Sequence, residues 1–193
     1  MPTAFEALAF IAETESINTV LDVGSGAGLH ADYLRGNGKA VETVSFIPPA
    51  DYVGDFMQLD IAERFDCVWA SHVLEHQLDA NAFLRKCKSN LKPGGVFAVT
   101  VPPMKPFIVG GHVSLWNAGL LLYNLIMAGF DCSQAKVKTY GYNISVIVQN
   151  GDVPQEVFDS LHRDTGDIEK LADYFPMPVA QGFNGHIQAV NWK

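Results

Sequence analysis

Positive charge is scarce in this chain. Of its 193 residues, 13 are Lys or Arg against 21 Asp or Glu, a formal net charge of −8 at pH 7. A phosphate backbone is bound through basic patches that displace its counterions. The one mild basic cluster, Arg85–Lys88 with Lys92, has the spacing of a solvated helix face. Nucleic acid is therefore disfavoured as a partner. Cysteine is equally sparse. Cys67, Cys87 and Cys132 lie far apart, are odd in number and match no metal-ligand spacing. They read as small buried apolar residues in a reducing compartment, and no metal site is expected. Long apolar runs are missing too. The longest, Ala118–Phe130, has about 13 residues and includes Asn124, short of the roughly 20 that a membrane-spanning helix needs. The N-terminus lacks a basic segment and Glu6 interrupts its first apolar stretch, so no signal peptide is expected. Together these absences predict a soluble, cytoplasmic protein with no membrane partner.

A composition of 48% hydrophobic and 18% charged residues fits a folded domain with a proper core. Thr3-Ala-Phe-Glu6 has the form of a capping box ahead of a helix carrying Phe5, Leu8, Ala9 and Ala12 at helical spacing. A strand over Thr19–Val23 follows, then glycines at 24, 26 and 28 and a helical pattern from Leu29 to Leu34. A second strand is expected over Ala40–Phe46 and a third around Tyr52–Asp55. Between them lie only five residues, two of them Pro48 and Pro49, which cannot form a crossover helix. Phe65–Ala70 reads as a buried strand. A helix capped by Asp79 runs through Leu84, Cys87 and Leu91 until Pro93-Gly94-Gly95 ends it. Val96–Val101 is another apolar strand. Asn117 caps an apolar helix ending at Gly129. Strands over Ser133–Tyr140 and Asn143–Gln149, split only by Gly141-Tyr142, predict an antiparallel hairpin. The expected fold is α/β: a doubly wound, Rossmann-like, mostly parallel sheet with an antiparallel C-terminal hairpin and one crossover helix missing after the second strand. Residues 1–150 form the expected main domain. Residues 151–193 form a helical appendage and tail packed on it, with helical segments near Gln155–His162 and Asp167–Tyr174.

Strand, glycine turn and helix together bring a backbone close to a bound nucleotide-like ligand and aim free helix N–H groups at it. Asp22-x-Gly24-x-Gly26-x-Gly28 resembles the first motif of the class I S-adenosylmethionine-dependent methyltransferases. The dinucleotide fingerprint is spaced differently. Phe65–His76 resembles the fourth-strand motif of that family's small-molecule and glycan branch. Leu91–Gly95 with Val96–Pro102 resembles its turn and fifth strand, and Ala128-Gly-Phe130 its last helix end. The resemblance spans about residues 17–150, with its motifs in the family's order.

It implies S-adenosyl-L-methionine as cofactor, held by Asp22, Gly24, Ser25, Gly26, Ser45, Phe46, Asp55, Phe56 and Ser71. Asp22 would favour the cofactor's amine, or serve as an N-cap or turn carboxylate. The family's acidic residue at the end of the second strand grips the ribose; here that position is Ser45, so one weaker hydrogen bond replaces two. Asp55 and Phe56 match the position that meets the adenine. Met57 and Leu59 wall the base or belong to the core.

Methyl transfer is an in-line displacement on an activated donor, so positioning and water exclusion dominate. A hydroxyl acceptor also benefits from a general base. His112, after the fifth strand, and His72, at the end of the fourth, are the candidates; His76 caps a loop. His30 touches the cofactor carboxylate or is solvated, and Trp116 stacks on a sugar or anchors the next helix. The aromatic tail (Phe183, Asn184, His186, Trp192) serves as lid, as homodimer contact or as wrap over an exposed face. The function expected from the resemblance is methyl transfer to a small molecule or glycan precursor, at oxygen. The competing expectation is a degenerate cofactor-binding or scaffold protein without turnover, suggested by Ser45 and the lost helix.

Overall fold

A computed structural model describes residues 3–192. Eight strands form one sheet in the order β3-β2-β1-β4-β5-β7-β6-β8. The parallel half comprises β1 (Thr19–Val23), β2 (Ala40–Ser45), β3 (Tyr52–Val53), β4 (Phe65–Ser71) and β5 (Leu91–Val101). The antiparallel edge comprises β7 (Asn143–Gln149), β6 (Lys136–Tyr140) and the two-residue β8 (Ala189–Val190). Chain order reverses at β1, where neighbours β2 and β4 lie on either side. In open α/β sheets ligands bind outside the strand C-termini at such a switch.

Strand alternation divides the core into two layers. Val20, Cys67, Trp69 and Ala98 face α1 (Phe5–Glu13) and α2 (Leu29–Gly36), meeting Leu8, Ile11, Ala31 and Leu34. Leu21, Val23, Val68, Ala70 and Val99 face α3 (Ala80–Ser89) and α4 (Ala118–Met127), meeting Phe83, Leu84, Leu121 and Leu125. The three cysteines are buried and free. Asp79 and Asn117 cap α3 and α4, accepting from the Ala82 and Leu120 N–H groups at 2.9 and 2.8 Å. Among the described residues no helix is long and apolar enough to cross a membrane.

The missing crossover helix is a real feature of the fold. The chain returns from β2 to β3 in six residues because Asp51 replaces helix packing with hydrogen bonds. Its carboxylate accepts from the Thr43 N–H and hydroxyl at 2.8 and 2.7 Å, and its N–H donates to Thr43 Oγ1 at 3.0 Å. Two expectations are corrected. No capping box forms at α1: Ala4 occupies the N-cap with φ 57° and no side-chain cap. Its N–H donates instead to Asn143 Oδ1 at 3.2 Å, because the hairpin β6–β7 lies beside the helix start. Pro93-Gly94-Gly95 does not terminate α3, which ends at Ser89; these residues are a bulge inside β5, where the pairing with β4 shifts between Phe65 and Cys67.

Beyond residue 150, Val153, Leu171, Phe175 and Ile187 join the core layer under α4. α5 (Gln155–Asp159) and α6 (Asp167–Lys170) are shorter than expected. Trp192 packs against Phe10 and Tyr140 of its own chain.

Asp66 ties the lower ends of β1, β4 and β5 together. Its carboxylate accepts from the Asn18 and Thr19 N–H groups, the Thr19 hydroxyl and Lys92 Nζ, all within 3.0 Å. Burial acts to raise its pKa, but Lys92 and these donors outweigh it and hold the carboxyl at about 2. A depressed pKa contributes stability above the unfolded value, near 4, that is lost as pH falls toward 2. Asp66→Ala is expected to cost about 1–3 kcal/mol at pH 7. Urea denaturation at pH 7 and at pH 3 should show the variant's deficit shrinking in acid; an equal deficit at both would contradict this role.

Candidate functional site

At the C-terminal end of β1 the chain makes a turn seated on β2. The Gly24 and Ser25 N–H groups both donate to the Val44 carbonyl, at 2.9 and 3.0 Å, and the Gly28 N–H donates to Ser25 O at 2.8 Å. Gly24 has φ +78°, and a Cβ there would lie 2.3 Å from Val73 Cγ2. Close approach of the β4 end over the turn therefore requires glycine. Gly26, at φ +52°, has open space where a Cβ would be.

Both glycines border a cavity of about 340 Å³. Gly24 and Gly26 form one wall, Ser45, Phe46 and Ile47 a second, and Gly54, Asp55 and Phe56 a third; Val73, Gln77 and Phe83 close it. Phe56 is buried edge-on to Phe83 at 5.6 Å, giving an aromatic floor. Asp55 is held in a turn, its Oδ1 accepting from the Met57 N–H at 2.9 Å. Phe46 and Ile47 are largely exposed at the mouth. Ser45 Oγ accepts weakly from the Ile47 N–H at 3.4 Å, and no carboxylate stands in its place.

Six of the nominated cofactor residues thus line one cavity: Gly24, Gly26, Ser45, Phe46, Asp55 and Phe56. Asp22, Ser25 and Ser71 do not. Ser25 turns its hydroxyl toward Val44 O at 3.4 Å. The buried Ser71 hydroxyl has no partner, in a residue paired with Thr100 of β5. Asp22 shares the Val20 face of β1, beneath α2, and is 1% exposed, with Oδ2 unpartnered. Burial pushes its carboxyl up to about 7, against the opposing pull of the Arg35 charge and the Ala31 N–H. Asp22 thus sits inside β1, two residues before the turn begins at Gly24, with one carboxylate oxygen unpartnered. Met57 and Leu59 pack on the core outside the cavity wall. Sequence reasoning missed Val73, Gln77 and Phe83. The Gly24–Val73 contact is a fact of the folded chain, and only the nearness of Val73 to the fourth-strand motif hinted at it.

The histidines collect around Glu75, in the 3-10 turn Leu74–His76 whose flanking residues Val73 and Gln77 line the cavity. Glu75 is 1% exposed, with Oε2 unpartnered. His72 Nδ1 lies 3.4 Å from Glu75 Oε1, and its Nε2 lies 3.0 Å from Asn143 Oδ1. Both ring nitrogens therefore face acceptors. Burial would lower the His72 pKa, but Glu75 and Asn143 outweigh it and raise it. Both contacts favour the charged form of the ring and tie it to Glu75 and Asn143. His76 Nδ1 donates to Gly111 O at 2.7 Å and docks the β5–α4 loop, in the loop-capping role. His112 stands edge-on to His76 at 5.1 Å, half-buried among the loop residues. Glu75, His76 and His112 offer ligand atoms within 4.8 Å of one another, the arrangement a metal ion would use. His30 touches neither ligand space nor bulk water alone: Trp69 Nε1 donates to its Nδ1 at 3.2 Å and its Nε2 donates to Thr3 O at 3.0 Å. Trp116 is buried at 4% exposure, which fits the anchoring role, and its ring borders a cavity of about 240 Å³ with Asn117 and Ile144.

A protein-family model described as a methyltransferase domain matches residues 3–108, more than half of the chain. Curated relatives include ubiquinone biosynthesis O-methyltransferases. That of Paramagnetospirillum magneticum is 40% identical over 95 residues, covering 41% of this chain and 38% of the relative. That of Bradyrhizobium diazoefficiens is 36% identical over 97 residues, covering 42% and 38%. The matched segment thus spans under two-fifths of these relatives' length. Among solved structures, Burkholderia thailandensis 1,6-didemethyltoxoflavin-N1-methyltransferase, bound to 1,6-didemethyltoxoflavin and S-adenosylhomocysteine, aligns with TM-score 0.65 at 20% identity, covering 76% of this chain and 77% of that one. Human N-acetylserotonin methyltransferase, in complex with S-adenosylmethionine, aligns with TM-score 0.61 at 17% identity, covering 77% and 52%. At these identities the likeness is one of fold.

A carboxyl whose folded pKa is raised makes the folded state hold its proton where the unfolded chain has lost it. Asp22 should therefore make stability fall as pH rises from about 4 to about 7, and level off above. Asp22→Asn is expected to flatten that slope and to gain about 1–3 kcal/mol at pH 8 relative to pH 4. Denaturant midpoints of both proteins across that range would show it; parallel profiles would contradict it.

Proposed function

The chain belongs to the methyltransferase-domain family, with the sheet of the class I S-adenosylmethionine-dependent enzymes, and from that premise we propose that it transfers a methyl group from S-adenosylmethionine to a hydroxyl of a small molecule. The observation that carries this reading is the cavity before the glycine turn. Gly24 and Gly26 border it without side chains, and Phe56 and Phe83 give it an aromatic floor. Those walls fit a group with an amino-acid end, a ribose and a flat base. The backbone turn would meet the amino-acid end, Ser45 would hold the ribose, and Asp55 and Phe56 would meet the base.

When bound, the cofactor supplies an electrophilic methyl on a sulfonium. The chain's residues then orient it, exclude water and manage one acceptor proton. His112 is the proton acceptor of this proposal, because His72 has both nitrogens committed. Oxygen as the accepting atom is supported by the names of the relatives. A glycan precursor is one hydroxyl acceptor within this class. Residues 151–192 belong to the same folded unit in this reading, since Leu171 and Phe175 complete its core. A second reading rests on Ser45. Without a carboxylate at the ribose, the site binds its cofactor weakly and the protein serves as a non-catalytic binder.

Calorimetric titration with S-adenosylmethionine tests the binding that both readings share, and turnover separates them. Saturable binding is expected, and Gly26→Val, a β-branched residue at φ +52° on the cavity edge, should abolish it at some cost in stability. Absence of binding at millimolar cofactor would sink the proposal. With a panel of small phenols and alcohols as acceptors, His112→Ala should reduce turnover about 10²- to 10⁴-fold with cofactor affinity unchanged. Turnover equal to the parent would remove His112 from the chemistry.

A further inference from the structure

A second cavity, of about 300 Å³, opens between α4 and the C-terminal segment. It shares no lining residue with the glycine-turn cavity. Its walls combine two chemistries. Three aromatic side chains reach it from separate elements: Tyr123 from α4, Phe175 from the end of the 3-10 turn Ala172–Tyr174, and Phe183 from the tail. Two carboxylates, Asp164 and Asp167, stand beside them. No Lys, Arg or His is among the lining residues.

The cavity is a built feature of the fold. A Cβ on Gly119 would lie 2.5 Å from Gly185 Cα and 3.1 Å from Phe183 Cε1. The helix and the tail can approach this closely only because both positions are glycine. The Gly119 N–H donates to Gly185 O at 3.0 Å, and Asn117 Nδ2 donates to Asn184 O at 3.3 Å. These contacts fix the Phe183 wall against α4. The opposite side is fixed by Asp167, which is buried and accepts from the His162, Arg163 and Asp164 N–H groups. That clasp presents Asp164, an exposed residue, at the rim. Lys170 meets Asp167 Oδ1 at 3.1 Å but reaches away to Ser160 O at 2.6 Å, so it compensates only one of the two acids.

The ligand class follows from what these walls accept. An anion is repelled by both carboxylates. A neutral apolar molecule would cover Asp164 without supplying a counter-charge, which costs free energy. A bare metal ion is too small for the space and finds no ligand atoms on the phenyl rings. A bulky cation of low charge density satisfies both halves: aromatic faces attract it through their quadrupoles, and they do so best when its alkyl groups displace water. We propose that this cavity binds an organic ammonium group, its alkyl substituents against Tyr123, Phe175 and Phe183 and its charge facing Asp164 and Asp167. Burial, together with the Asp167 charge, raises the pKa of the Tyr123 hydroxyl, consistent with a negative field in the cavity.

The test compares choline with 3,3-dimethylbutan-1-ol, which has the same shape without the charge. Each is titrated into the full chain, with amide shifts followed by two-dimensional NMR. The expected result is saturable choline binding, with shifts at Gly119, Tyr123, Gln181 and Gly185. The neutral analogue should bind at least about tenfold more weakly. Asp164→Asn, a substitution at an exposed residue, should weaken choline severalfold while leaving the amide spectrum otherwise unchanged. Phe183→Leu should do so through loss of an aromatic face. Equal binding of the two probes, choline affinity unaltered in Asp164→Asn, or shifts confined to other surfaces would each overturn the proposal. S-adenosylmethionine titrated into choline-saturated protein serves as control, because its own cavity is separate and the two outcomes are read independently.

Discussion

The structure turns on one steric fact: Gly24 has no Cβ, and Val73 occupies the space beside it. This contact lets the end of β4 fold over the end of β1 while two N–H groups of the turn remain seated on β2. Three strand ends are thereby gathered at the point where sheet order reverses. An alanine at this position would push Val73 and the turn apart, and with them the wall that Val73 and Gln77 contribute. The cavity is thus a consequence of backbone proximity. Its apolar lining needs no more than the ordinary alternation of the strands and the first turns after them.

The histidine cluster depends on the same fold-over. Once β4 ends above the turn, Leu74–His76 is drawn against the β5–α4 loop, where the Val113 and Ser114 N–H groups donate to Glu75 O. Glu75 is buried with its carboxylate between His72 and His76. A buried carboxylate needs nearby positive charge or hydrogen-bond donors, and the His72 ring lies against it, Nδ1 3.4 Å from Oε1. His112 lies on the loop, outside that pairing.

Much of this was legible in the sequence, for local reasons. The glycine turn, the caps at Asp79 and Asn117, the hairpin at Gly141-Tyr142 and the two prolines that forbid a helix after β2 are short-range signals, and each stands as read. The errors fall where a distant partner decides. The Thr3–Glu6 capping box gives way to a bond from Ala4 to Asn143, 139 residues on. Pro93-Gly94-Gly95 looks like a helix stop, but pairing with β4 makes it a bulge. The role of Glu75 required knowing that a loop more than 30 residues later folds back onto it.

The central claim is that the glycine turn and the three walls beside it form one ligand site. Amide shift mapping with S-adenosylhomocysteine, which holds no transferable methyl and so isolates binding from chemistry, tests it most directly. The account predicts saturable shifts concentrated at Gly24–Gly28, Ser45–Ile47, Gly54–Phe56 and Gln77. Shifts centred elsewhere, or none at millimolar ligand, would contradict it.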